Sequence, residues 1–176
     1  MRNPSRSRLR FLVVFGFIVA GLIAAMHYPY PDRCWQRDLM HVYLETYARV
    51  AGSVISLFDA SVRVEGLRIH GRFALIIVRS CDAWEAMALL VAAILAFPAA
   101  WARRAAGLLG GVGAVFVANV ARIFSLYVIG VQRPDLLAAT HEGVWPAAIV
   151  CIAVLAFLIW ARWAQGAYCA TDTTPA

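Results

Sequence analysis

With 176 residues, 62% of them hydrophobic and only 15% charged, the chain has too little polar surface for an ordinary soluble domain and too few residues for a second large one. Its net charge of +6 is carried entirely by arginine, since no lysine is present. At a mean hydropathy of +0.72 those arginines mark membrane topology rather than a nucleic-acid surface. Residues 1–176 therefore read as one membrane domain: an all-α integral membrane bundle of about four transmembrane helices with a small extracytoplasmic segment.

The first apolar run, 11–26, follows Arg2, Arg6, Arg8 and Arg10 and ends at Tyr28-Pro29-Tyr30-Pro31, a basic inner flank and an aromatic, helix-breaking outer one. The same stretch has the basic, apolar and small-residue parts of a secretory signal. Cleavage would leave every later orientation unchanged.

Residues 27–80 form the outer segment. Within it, Leu39, Val42, Tyr43, Tyr47, Val50, Val54 and Leu57 recur at helical spacing, which predicts an amphipathic helix over 39–58 resting on the membrane or on the bundle. Alternation over 61–69, followed by the β-rich run 73–78, predicts a hairpin turning at His70-Gly71-Arg72.

Three further spans are expected at 83–102, 105–131 and 143–161. Arg103 and Arg104 separate the first two, and Arg162 follows the last. Placing the N-terminus in the cytoplasm puts all three arginines there, as the positive-inside rule asks of short loops. The seven arginines of the outer segment run against the rule, but long exposed segments carry little weight in it and five acidic residues offset them. Both termini are thus cytoplasmic, and 132–142 is an outward loop. Gly107, Gly110, Gly111 and Gly113 read as helix-packing positions.

Asn119 and Arg122 interrupt the third span at an i, i+3 spacing that puts them on one face. An arginine inside a span is a functional-site candidate unless it snorkels to the surface. Glu85, one turn beyond Cys81, is a carboxylate that could pair with it. Cys81 precedes the second span, where a helix N-terminus and nearby arginines would favour a thiolate and Asp82 and Glu85 oppose it. It is otherwise a small apolar filler or a disulfide partner for Cys34. His141 lies just before the fourth span, where Trp145 marks the interface and Pro146 the helix start. Opposite a cysteine it could act as general base and then acid, with Arg122 stabilising an oxyanion. His27, His41 and His70 read as solvated loop or interface residues. No paired spacing suggests a metal and no glycine loop cradles a phosphate, so no cofactor is expected.

Three blocks, SCDAWEAM at 80–87, FVANVARIFSLYVIG at 116–130 and HEGVW at 141–145, give the chain a resemblance to the exosortase/archaeosortase family of membrane transpeptidases, closest to the short exosortase H type. The resemblance covers about 79–160 and implies Cys81 as nucleophile with Arg122 and His141 as its catalytic partners. It further implies a cysteine transpeptidase or protease at the outer face of the inner membrane. Its substrates would be secreted proteins ending in a recognition motif, a transmembrane helix and a basic tail. Membrane lipid is the other expected partner, and nucleic acid is not one. The family commonly has glycine two residues after the cysteine, where this chain has Ala83, so the turn presenting the thiol is expected to differ. The rival reading is a non-enzymatic membrane subunit or assembly factor in which Arg122 and Glu85 form a packing pair. A transporter with Arg122 lining an anion path is a third.

Overall fold

The computed structural model describes residues 4–27, 35–78 and 83–171, and side-chain surroundings for 9–25, 38–78 and 83–165. The chain is mostly helical. In order it forms α1 (Pro4–His27), α2 (Trp35–Ser56), β1 (Arg63–Glu65), β2 (Arg68–His70), β3 (Leu75–Ile76), α3 (Trp84–Ala96) and α4 (Trp101–Gln132). A 3-10 turn (Pro134–Leu136), the short α5 (Leu137–Ala139), a π turn (Thr140–Val144) and α6 (Trp145–Thr171) follow.

Two stretches, Trp101–Gln132 and Pro134–Gln165, are helical, apolar and 32 residues long. At a rise of about 1.5 Å per residue each reaches about 48 Å, more than the roughly 30 Å of a bilayer core. Two helices are therefore long and apolar enough to cross a membrane. Helix α3 stops at Ala96, short of the expected end at residue 102. The reason is Pro98, which disfavours helical backbone at Phe97 and offers no amide of its own.

The chain divides into two compact units, one of Met1–Tyr28, Glu85–Val115 and Val150–Ala176, the other of Pro29–Trp84 and Phe116–Ile149. In the first, the Trp160 indole donates to the Arg103 carbonyl at 2.9 Å, and Arg103 donates to the Ala164 carbonyl at 2.7 Å. Gly107 allows this: a Cβ there would collide with the Trp160 ring. Gly111 faces Leu90 and Ile94, whereas Gly110 and Gly113 have nothing within 4 Å. Of the four glycines, then, only the pair spaced i, i+4 lies on a packed face; the other two face away from it.

The second unit packs α2 against the small sheet and the later half of α4. Leu44, Tyr47, Ala48, Ala51 and Ile55 supply the α2 face, Val62, Ile69 and Ile77 the sheet side, and Val120, Ile123 and Tyr127 the α4 side. The expected amphipathic helix is present, but the face it buries is not the one read from the sequence: of that stripe only Tyr47 is buried, Tyr43 and Val54 are partly so, and Leu39, Val42, Val50 and Leu57 are exposed.

The sheet has order β1-β2-β3, both pairs antiparallel. The reading of 61–69 as one strand is corrected: Gly66 breaks it. Glu65 pairs with Arg68 across a two-residue loop whose first residue, Gly66, has φ +57°, as in a type II′ hairpin turn. The turn at 70–72 then joins β2 to β3, giving a three-stranded meander where one hairpin was expected.

Residues 132–142 are likewise not a loop. Proline 134 opens the 3-10 turn and the chain continues through α5 and the π turn into α6, so His141 sits within helical backbone. Pro134 suits a first helical position because that residue needs no amide hydrogen.

Candidate active site

Helix α4 carries a polar line at three-residue steps, Asn119, Arg122 and Ser125, through otherwise apolar sequence. The first two are buried, Asn119 at 0% exposure and Arg122 at 4%. Burial of a guanidinium is costly unless dipoles or an anion compensate it. One Arg122 Nη2 donates to the His141 carbonyl at 3.4 Å, while its Nε is buried with no hydrogen-bond partner among the described residues.

Two further contacts fix the same turn of α4. Ser125 Oγ donates to the Arg122 carbonyl at 2.8 Å, and the Trp145 indole donates to Ser125 Oγ at 2.8 Å. The sequence reading missed Ser125 and treated Trp145 only as an interface marker. The signal was available for the serine, which continues the Asn119, Arg122 spacing by three residues.

Residues 140–146 take an uncommon backbone where His141 meets Arg122. In the π turn the Trp145 amide bonds the Thr140 carbonyl five residues back. The next donor in that frame is Pro146, which has none. The His141 carbonyl accepts the Arg122 guanidinium from α4. Turns of this kind are rare and are found frequently at functional sites.

An aromatic cluster lies one turn before Asn119. Phe116 stacks on Tyr47 with centroids 4.7 Å apart, Tyr43 meets Tyr47 edge-on at 5.0 Å, and Trp84 meets Tyr43 edge-on at 6.3 Å. The Tyr43 hydroxyl donates to the Tyr47 hydroxyl at 3.3 Å. Trp84 follows Ala83, which is buried and has φ +57°. A left-handed backbone costs an alanine about 1–2 kcal/mol, a strain that glycine escapes. Ala83 thus adopts a backbone that glycine would favour.

Of the expected site residues, Arg122 and His141 are brought together, through the guanidinium and the histidine backbone. Asn119 accompanies Arg122 on its face of α4. Glu85, exposed in the first turn of α3, belongs to the other unit. Cys81 and Cys34 lie outside the described residues; the chain on either side of Cys81, Ile77 before it and Ala83-Trp84 after it, belongs to the unit that holds Arg122 and His141.

A second constellation joins α4 to the end of α2. The Tyr127 hydroxyl donates to Asp59 Oδ2 at 2.6 Å and accepts the Arg72 amide at 3.0 Å. Asp59 Oδ1 accepts the Ser61 hydroxyl at 2.6 Å and the Ser61 amide at 3.0 Å. The Ser61 hydroxyl, then the Tyr127 hydroxyl and the Ser61 amide, hold the Asp59 carboxyl at about 2, below its ordinary 3.8, with a smaller push from the Arg72 charge. Gly71 is required here, since a Cβ would crowd the Tyr127 hydroxyl.

Among the described residues no group of three or more His, Cys, Asp or Glu side chains could hold a metal ion. No protein-family model, curated protein or solved structure matches the chain.

Proposed function

We propose that the chain is a membrane-embedded cysteine transpeptidase or protease of the exosortase/archaeosortase type, acting on C-terminal sorting signals of secreted proteins. The observation that carries this reading is the meeting of Arg122 with His141, 19 residues apart, beside a buried guanidinium Nε that has no partner among the described residues. The left-handed Ala83 adds to it, two residues after Cys81. In this reading α1, α3, α4 and the helix from Pro134 are the four spans of an inner-membrane protein with both termini cytoplasmic and the site on the periplasmic side. Helix α3 is short for a span and is accommodated by local thinning of the bilayer.

The chemistry assigns one role to each group. The His141 imidazole takes the Cys81 thiol proton, and the thiolate adds to the scissile carbonyl carbon. Arg122 holds the resulting oxyanion. When the C–N bond breaks, the leaving amine takes the proton from His141 and the acyl group remains on sulfur as a thioester. An incoming amine, or water, then adds to the thioester and releases the thiol.

Incubation of membranes with a substrate bearing a motif, an apolar helix and a basic tail tests the reading. Cys81→Ala abolishes cleavage without loss of the protein, and the wild-type chain yields a hydroxylamine-labile adduct at Cys81. Full processing by Cys81→Ala, or a Cys34–Cys81 disulfide in the active form, refutes it in favour of the subunit or assembly-factor reading.

A further inference from the structure

The first turn of a helix carries partial positive charge and favours acidic side chains, yet α4 has none there and opens instead with Arg103 and Arg104. The surrounding stretches 96–115 and 150–165 contain no Asp or Glu. Glu85, the sole carboxylate among the described residues of this unit, sits in the first turn of α3, about 16 Å by helical rise from the end of that helix. Arg103 is engaged: it donates to the Ala164 carbonyl, and its own carbonyl accepts the Trp160 indole, which Phe97 and Phe157 brace at centroid distances of 5.4 and 6.0 Å. Arg104 is held differently. Its guanidinium carbon lies 4.9 Å from the centre of the Trp101 ring, and its Nε is buried with no hydrogen-bond partner among the described residues. None of the ion pairs among those residues includes it. Stacking on a ring uses the face of a guanidinium and leaves its in-plane N–H groups to an acceptor, and phosphate matches that fork in shape and charge.

The surface beyond the arginines is apolar. Trp101, Ala105, Leu109 and Gly113 follow one another at four-residue steps and so form one line along α4. Trp101 is 73% exposed and Leu109 80%, while a side chain at Gly113 would meet nothing within 4 Å. A soluble anion needs no such surface, whereas a molecule with an anionic head and an apolar chain does.

We propose that the start of α4 is a binding site for an anionic phospholipid, whose phosphate takes the Arg104 guanidinium next to Arg103 and whose acyl chain lies along the line from Trp101 to Leu109. This rests on the membrane placement in the function proposed above, which puts the start of α4 in the cytoplasmic leaflet, and not on the catalytic roles given there. Basic positions among helices on that side are where anionic head groups bind. The phosphate relieves the clash between two cations and the positive end of the helix, and the Trp101 ring keeps one of them in place for it.

Native mass spectrometry of the purified full chain in detergent tests this, with dioleoylphosphatidylglycerol, dioleoylphosphatidylcholine and inorganic phosphate as probes. The wild-type chain is expected to bind the glycerol lipid about tenfold more tightly than the choline lipid. Arg104→Gln lowers binding of the glycerol lipid about fivefold and leaves the choline lipid unchanged. Arg162→Gln, which removes the same charge from an exposed position on α6, leaves both unchanged. Equal losses in the two variants would show diffuse attraction to a basic surface and overturn the site, as would wild-type binding by Arg104→Gln. Inorganic phosphate is expected not to displace the glycerol lipid; full displacement by millimolar phosphate overturns the lipid assignment in favour of a soluble anion. Where Arg104→Gln fails to accumulate, Trp101→Leu keeps both charges and removes the ring. It is expected to weaken binding of the glycerol lipid about threefold, and an unchanged affinity overturns the proposal. Lipid binding is read without substrate. A chain that binds as stated but processes no tail-bearing protein loses the catalytic reading and keeps the lipid site; one that processes it without preferring either lipid loses the lipid site alone.

Discussion

Tyr127 and Asp59, 68 residues apart, are joined by a 2.6 Å hydrogen bond that closes the meander and the end of α2 onto α4. The folded chain keeps Asp59 ionised down to about pH 2, whereas the unfolded chain takes up the proton near 3.8. The stability this contributes is complete above pH 4 and is lost as pH falls toward 2. Tyr127→Phe removes one of the bonds that lower the Asp59 value. A carboxyl titration by NMR is expected to show it moving up toward 3.8, with a lower melting temperature at neutral pH and a smaller further loss on acidification.

Arg122→Lys separates charge from geometry. Lysine keeps the positive charge but not the planar fork that can hold a carbonyl and an oxyanion together. Processing is expected to fall about a hundredfold, the scale of losing one oxyanion donor, while the protein accumulates normally. Wild-type rates in this variant would reduce Arg122 to an anchor.

Ala83→Gly tests the strained turn. Relief of about 1–2 kcal/mol of left-handed strain is partly offset by the roughly 0.5–1 kcal/mol that glycine costs in the unfolded chain. The variant is expected to be as stable as the parent or up to about 1.5 kcal/mol more so. Ala83→Val, with branching at Cβ, is expected to be destabilised and to lose processing. Thermal melts in detergent, together with the substrate assay, decide both.

The glycines of α4 make a paired control. Gly107→Ala drives a methyl into the Trp160 indole and is expected to cost about 1–3 kcal/mol. Gly110→Ala meets open space and is expected to gain up to about 1 kcal/mol from helix propensity.

Orientation is checked by labelling. A cysteine at Asp135 is expected to react with an impermeant maleimide in intact cells, and one at Gln165 only after lysis. Reversed labelling would put Arg122 and His141 within reach of the wrong compartment for sorting.

Much of this was legible in the sequence where a feature repeats at short range. The existence of α2, the Asn119–Arg122 face and the long apolar helices all depend on local periodicity, although α2 buries a face turned from the one its large apolar residues mark. What escaped depends on atoms that periodicity does not report. Gly66 turns the chain because its φ is positive, although the alternation of polar and apolar residues runs on across it. The missing amide of Pro146 marks a helix start, yet the residue lies inside continuous helical backbone. The Tyr127–Asp59 bond could not be read at all, because nothing in either neighbourhood names its distant partner. The stretch 132–142 reads as a loop because it separates two apolar runs, yet helical backbone runs through most of it.

The π turn at Thr140–Val144 also makes the site sensitive to chain length. Such a turn is an α-helix that holds one residue more than its hydrogen bonds need. Losing one of residues 142–144 would restore regular winding and rotate the helical stretch 134–141 by about 100° relative to Trp145, turning His141 away from Arg122 without altering either residue. The pairing is thus encoded by a count as well as by identities, and an in-frame deletion there could undo what most single replacements in that turn would leave in place.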